Sequence, residues 1–187
     1  MRSTTHFIIT PKGGSNFINE KEFNGKTFVV NTSIEEAINV NRIGVVLELP
    51  LNYNGNIQVN DEVVVQHNIF RDWFDSKGIT RKSNSHFKDN LYMIETENIY
   101  LIYRDGQFIS VDDNCFIEPI TEEVRWIGTQ EVKHQGTVFF GNKYLEQQGV
   151  FKGDTIAFST DSEYEFQIYD KKLYRIRTVN ILVKISA

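Results

Sequence analysis

The stretch that decides the fold is residues 136–185, GTVFFGNKYLEQQGVFKGDTIAFSTDSEYEFQIYDKKLYRIRTVNILVKI. In Tyr164-Glu165-Phe166-Gln167-Ile168, the residues Tyr164, Phe166 and Ile168 share one face, while Glu165 and Gln167 take the other. That period of two describes a half-buried strand. Asp170-Lys171-Lys172 offers turn chemistry, and Leu173–Arg177 returns as a second strand, so a hairpin is expected. Asn180–Ile185 reads as a final strand. Upstream, Gly153 permits a tight or left-handed turn, and Asp154 can bond the turn backbone as the next strand begins.

Short apolar runs bounded by turn residues continue toward the N-terminus. His6–Thr10, Lys26–Val30, Gly44–Leu49 and Glu62–His67 read as strands, because β-branched runs of this length do not make independent helices. Tyr100–Tyr103 and Gln107–Val111 flank Asp105-Gly106 and read as a hairpin. Two short helical turns are expected: Thr32–Ile38, with Ser33 and Glu36 as a capping box, and Phe70–Phe74. Residues 12–25 and 75–90 show no strand or helix pattern and read as long loops.

The blocks repeat. Gly44-Val45-Val46-Leu47 precedes Asn60-Asp61-Glu62-Val63, and Gly136-Thr137-Val138-Phe139 precedes Gly153-Asp154-Thr155-Ile156. The glycines are 92 residues apart and the aspartates 93. By sequence order, Ile99–Val111 and Cys115–Ile120 correspond to Tyr164–Arg177 and Asn180–Ile185. The simplest reading is an all-β chain of two related small barrels, residues 1–120 and 121–187, the first with an insertion at 75–97. The second lacks a strand matching His6–Thr10, and Phe116–Ile120 is available to fill that place, so the barrels would share a strand and leave fewer open edges.

The bulk composition excludes several function classes. The net charge is −5, with no basic face for phosphates or anionic lipids, so neither nucleic acid nor membrane is expected as a partner. No apolar run approaches a membrane span and no apolar signal region follows Met1, which favours a cytoplasmic location. The single cysteine, Cys115, cannot form an internal disulfide.

Gly136-Thr137-Val138, then Gly153-Asp154-Thr155-Ile156, the Glu163–Ile168 hairpin strand and Tyr174-Arg175-Ile176 followed by Ile181-Leu182 together resemble the GroES co-chaperonin family. Residues 1–74 and 99–120 match more loosely, with Asn60-Asp61 in place of Gly-Asp, and the doubled pattern is similar to double-barrel co-chaperonin-like proteins of bacteriophages. The resemblance implies two GroES-like barrels in tandem, a homo-oligomeric ring, and a chaperonin (GroEL-like) ring as partner. It implies a mobile loop, here residues 12–31, whose apolar tripeptide is Phe28, Val29 and Val30. The bottom-up alternative is that Lys26–Val30 is an ordinary barrel strand. No second mobile loop is apparent in the C-terminal half.

Nothing points to catalysis. His6, His67, His86 and His134 form no close pair, and His67 with Asp72 and Asp75 is the one metal set that can be written down. Cys115 lacks a nucleophile signature, no phosphate-binding glycine loop is present, and Phe70-Arg71-Asp72-Trp73-Phe74 reads as core or interface. The expectation is therefore a non-enzymatic co-chaperonin without cofactor or metal, in the host cytoplasm if phage-encoded. The alternative is a phage structural or assembly component of the virion built on the same barrels.

Overall fold

The structure is a computed structural model that describes residues 2–18, 20–23, 26–29, 39–126, 128–168 and 171–185. The chain is almost entirely antiparallel β and divides into two compact units, residues 1–107 and 108–187. The helical turn expected at Thr32–Ile38 lies outside the described residues.

The first unit holds β1 (Phe7–Pro11), β2 (Glu20–Phe23), β3 (Lys26–Val29), β4 (Ile43–Glu48), β5 (Glu62–Val65), β6 (Asp72–Phe74), β7 (Thr80–Lys82), β8 (His86–Lys88), β9 (Leu91–Ile94) and β10 (Ile99–Arg104). Its main sheet runs β8-β9-β1-β4-β5-β10 and ends on β11 (Gln107–Ser110), which straddles the boundary. Two small hairpins, β2-β3 and β6-β7, stand apart from that sheet. The helical turn expected at Phe70–Phe74 is instead the strand β6, held by pairing of Trp73 with Arg81 and Phe74 with Thr80. Nor are 12–25 and 75–90 patternless loops: they contain β2, β7, β8 and a 3-10 turn at Lys12–Gly14. These strands are only three or four residues long, too short to show a period.

The second unit holds β12 (Asn114–Val124), β13 (Gly128–Phe140), the short helix α1 (Lys143–Gln147), β14 (Thr155–Phe158), β15 (Tyr164–Ile168), β16 (Lys171–Arg177) and β17 (Ile181–Ile185). Its sheet runs β15-β16-β12-β13-β14-β17. Lys171 and Lys172, expected in a turn, are the first residues of β16 and pair with Ile168 and Gln167. Among the described residues the ladder of each unit is open, and no pairing of outer strands closes either sheet into a barrel.

The two sheets are the same sheet. With β11 set aside, which has no counterpart, strand order matches position for position, and so does register. Pro11 lies opposite Gly44 and Pro119 opposite Gly136; Gly44 also faces Val63, and Gly136 faces Ile156. A bulge interrupts β1 between Ile8 and Ile9, and another interrupts β12 between Phe116 and Ile117. Thr96-Glu97-Asn98-Ile99 and Thr178-Val179-Asn180-Ile181 each make a 3-10 turn into the last strand. That strand skips one residue in both copies, at Tyr100 and at Leu182. The counterpart of Tyr164–Arg177 is therefore β8-β9, and the counterpart of β17 is β10, one element away from the correspondence expected from sequence order. Phe116–Ile120 lies on β12, which begins the second sheet and fills the place that β1 fills in the first.

The tightest part of the repeat joins the second and third main strands of each sheet. The Val46 and Val138 N–H groups donate to the carbonyls of Asp61 and Asp154 (2.9 Å each), and Asn60 and Gly153 donate back to the carbonyls of Val46 and Val138 (2.8 Å each). Gln58 and Phe151 N–H donate to the Asp61 and Asp154 carboxylates (2.7 Å each). Asn60 (φ 73°) and Gly153 (φ 93°) both occupy the left-handed region, which explains why asparagine can replace glycine here. A cation from the last strand neutralises each aspartate: Arg104 in a two-pronged pair with buried Asp61, and Lys184 at 2.7 Å from Asp154.

Beneath this junction lie matching cores. Phe7, Ile9, Val46, Ile57, Val63, Val65 and Ile94 are buried in the first unit; Cys115, Ile117, Val138, Val150, Ile156, Phe158 and Ile176 are buried in the second. In the second unit α1 adds Leu145, and Asn142 caps the helix by accepting from Leu145 N–H (3.0 Å). Asn142 also donates to Asn114 O and Thr178 Oγ1 (2.8 Å each), which fixes the helix to the sheet.

Two outcomes follow from this packing. A Cβ on Gly136 would sit 2.3 Å from Ile117 Cδ1 and 3.0 Å from Glu118 O, whereas one on Gly44 meets Ile9 Cδ1 at 3.0 Å and Thr10 O at 3.4 Å. Gly136→Ala should lower stability by about 1–3 kcal/mol and Gly44→Ala by less, measured by urea denaturation. Lys184, then Phe151 N–H, hold the Asp154 carboxyl below its usual value. A lowered folded value means stability that is present above the unfolded value and lost as pH falls through the folded one. Asp154→Asn should therefore be less stable than wild type at neutral pH, with the two urea midpoints converging in acid.

Candidate docking site

The duplication defines equivalent connections between the first and second main strands of each sheet. In the first unit this connection runs from residue 12 to residue 42. Its neck is ordered by polar contacts: Ile18 N–H donates to Asn39 O and Asn41 N–H to Asn16 O (2.8 Å each). The Asn41 amide donates to Lys12 O and Ser15 O (2.9 Å each), and its oxygen accepts from Ile43 N–H. Buried Asn16 donates to Asp72 Oδ1 at 3.2 Å and accepts from Tyr92 Oη at 2.9 Å. The Asn41 amide thus closes the neck and the Asn16 amide ties it to β6 and β9, so both buried amides are satisfied.

Beyond the neck stands the β2-β3 hairpin. Phe28 and Val29 lie on β3, with their backbones opposite Lys21 and Glu20. Val30 lies outside the described residues. Phe28 and Val29 therefore sit on the returning arm of a two-stranded hairpin that is separate from the main sheet.

In the second unit the same connection is the extended end of the β12-β13 hairpin. Thr121 pairs with Glu131, Glu122 with Gln130, Glu123 with Thr129 and Val124 with Gly128, leaving Arg125 and Trp126 at the tip. Trp126 is 92 % exposed, with φ 77°, and the Arg125 guanidinium lies 5.5 Å from its ring centroid. The left-handed backbone is uncommon for a bulky residue and here makes the turn. Sequence reading missed this segment. The available signal was Pro119, matched to Pro11 at an offset of 108 rather than 92, followed by an aromatic and a glycine among polar residues.

A polar brace holds the base of this hairpin. Lys172 Nζ lies 2.7 Å from Glu131 Oε1 and 3.3 Å from Glu165 Oε2, and Tyr174 Oη donates to Glu131 Oε2 at 2.6 Å. Burial opposes ionisation of Glu131, but the bonds from Lys172 and Tyr174 outweigh it and hold the carboxyl below its usual value. Glu131, Tyr174 and the carboxylate of Glu165 keep the Lys172 ammonium charged well above neutrality.

His67, Asp72 and Asp75, the one metal set that can be written from the sequence, do not come together as a ligand group. Asp72 is paired with Lys82 at 2.8 Å, and Asp75 accepts from Arg81 and from the N–H groups of Lys77 and Ile79. Among the described residues no three His, Cys, Asp or Glu side chains gather as metal ligands. Burial pushes the Cys115 thiol up to about 12, so at neutral pH it is a buried apolar group and not a thiolate. Among the described residues no helix is long and apolar enough to cross a membrane. No protein-family model and no curated protein matches the sequence.

Trp126 and Trp73 are the two tryptophans, and Trp73 is 44 % exposed. Trp73→Phe, which leaves Trp126 alone, should show a steeper iodide-quenching slope than Trp126→Phe, which leaves Trp73 alone.

Proposed function

We propose that the chain is a co-chaperonin-like protein that oligomerises and docks on a chaperonin ring through the paired connections described above, the Phe28-Val29 hairpin in one copy and the Trp126 tip in the other. The observation that carries this reading is the second copy's hairpin, which presents a large aromatic at a nearly fully exposed tip while its base is braced by Glu131, Lys172 and Tyr174. A soluble chain gains nothing for its own stability from such a residue, whereas buried aromatics dominate the energy of docking. A short apolar anchor also suits a partner that must be released, since few contacts hold it. The register-matched duplication and the Gly153-Asp154 junction support the reading of two GroES-like units in tandem from which the function is inferred, each an open sheet among the described residues and not a closed barrel.

Self-assembly is supported by β17. It is the outer strand of its sheet, and Leu182 and Val183 on it are 68 % and 54 % exposed, as is neighbouring Val179 at 73 %. An apolar edge strand left open is a template for another chain. A second copy of this protein is the occupant that makes a ring.

Co-sedimentation with a bacterial chaperonin in the presence of nucleotide tests the docking claim. Wild type should pellet with the chaperonin. Trp126→Ser and the double change Phe28→Ser with Val29→Ser should each weaken binding about tenfold or more, the scale of an interface hot spot. Binding unaltered by both variants would remove the assignment of these segments. Failure of wild type to bind any chaperonin, together with its presence in purified phage particles, would favour the virion reading.

A further inference from the structure

The duplication isolates a part of the first unit that has no counterpart in the second. Gln66 and Ser159, which both donate into the carbonyl of the 3-10 turn (Asn98 and Asn180, 3.0 and 2.9 Å), are offset by 93 residues. Tyr92 and Tyr174, which both face the first strand of their sheets, are offset by 82. The first copy therefore holds eleven additional residues between these points. Their number matches the β6-β7 hairpin, and residues of that hairpin with Gln66–Arg71, Ser83–Ser85 and Asn98 border an open cleft of about 670 Å³. That is the size of a small-molecule site.

The chemistry of the lining is selective. It contains no carboxylate and a single cation, Arg71. Arg71 Nε is buried and has no hydrogen-bond partner among the described residues. A buried guanidinium N–H without an acceptor is costly, and a ligand oxygen bearing negative charge is the group that satisfies it best. The local field has the same sign: burial first, then Arg42 and Arg71, hold His67 below its usual value, so it adds no charge at neutral pH. Asn68, Asn84 and Asn98 line the same cleft. Each amide both donates and accepts, which matches hydroxyl groups that do the same. Trp73 and Phe74 also line the cleft, and both remain 44–45 % exposed. Half-exposed rings at a cleft offer flat apolar faces to a ligand ring.

We propose that this cleft binds a sugar bearing one carboxylate: the carboxylate on Arg71, the hydroxyls on the asparagine amides, the ring face on Trp73. One guanidinium balances one carboxylate, whereas a nucleotide's phosphates would call for several cations.

Saturation-transfer NMR and calorimetry on the full chain test it, with D-glucuronic acid and N-acetylneuraminic acid as probes and D-glucose and adenosine monophosphate as comparators. The acidic sugars should bind at least tenfold more tightly than glucose and shift Trp73 emission. Arg71→Gln should erase the preference for the acidic sugar. Trp73→Ala, at an exposed position, should weaken both kinds of sugar and keeps the test readable if the Arg71 variant does not fold. Absence of binding by either acidic sugar at millimolar concentration, adenosine monophosphate binding as tightly as they do, or binding indifferent to the Trp73 change would each overturn the assignment.

Discussion

Each sheet hangs on one junction, where the second strand and the turn before the third exchange two backbone hydrogen bonds around an aspartate. Val46 with Asn60 and Asp61, and Val138 with Gly153 and Asp154, form it with the same distances. The exchange fixes the register of Gly44 against Val63 and of Gly136 against Ile156, and a one-residue slip would turn every core side chain outward. The same glycines let the first strand, at Pro11 or Pro119, approach closely enough for Ile9 and Ile117 to pack over them. Core, bulge and the direction of the outgoing connection all follow from that approach.

Residues 136–185 were legible because their strands alternate cleanly and because Gly-Asp has few conformational uses. The first copy was harder to read for a physical reason: Asn60 performs the left-handed turn that Gly153 performs, so the motif survives in φ and not in residue type. The correspondence of later elements slipped by one hairpin because β8 is three residues long and carries no period. Thr96-Glu97-Asn98-Ile99 against Thr178-Val179-Asn180-Ile181 was the signal that resolves it. Arg104 and Lys184 reach their aspartates across the sheet, and no spacing in the sequence announces such a contact.

Less of the functional surface could be read. Phe28, Val29 and Val30 stand out in the sequence only through a resemblance; the structure puts Phe28 and Val29 on the return arm of a small hairpin, and Val30 lies outside the described residues. Trp126 was passed over because the two connections differ in length, which shifts the offset from 108 at the prolines to 92 at the glycines and hides their equivalence. The two copies differ in what each adds to the shared sheet. The first carries the added β6-β7 hairpin and its cleft, while the second carries a helix over its core and an apolar outer strand.

If each chain is a tandem unit that assembles through β17, purified protein in an analytical ultracentrifuge should sediment as a closed oligomer at a multiple of 21.8 kDa. Leu182→Asp with Val183→Asp should return it to single chains. Wild-type protein sedimenting as a 21.8 kDa monomer across the concentration range would contradict the account.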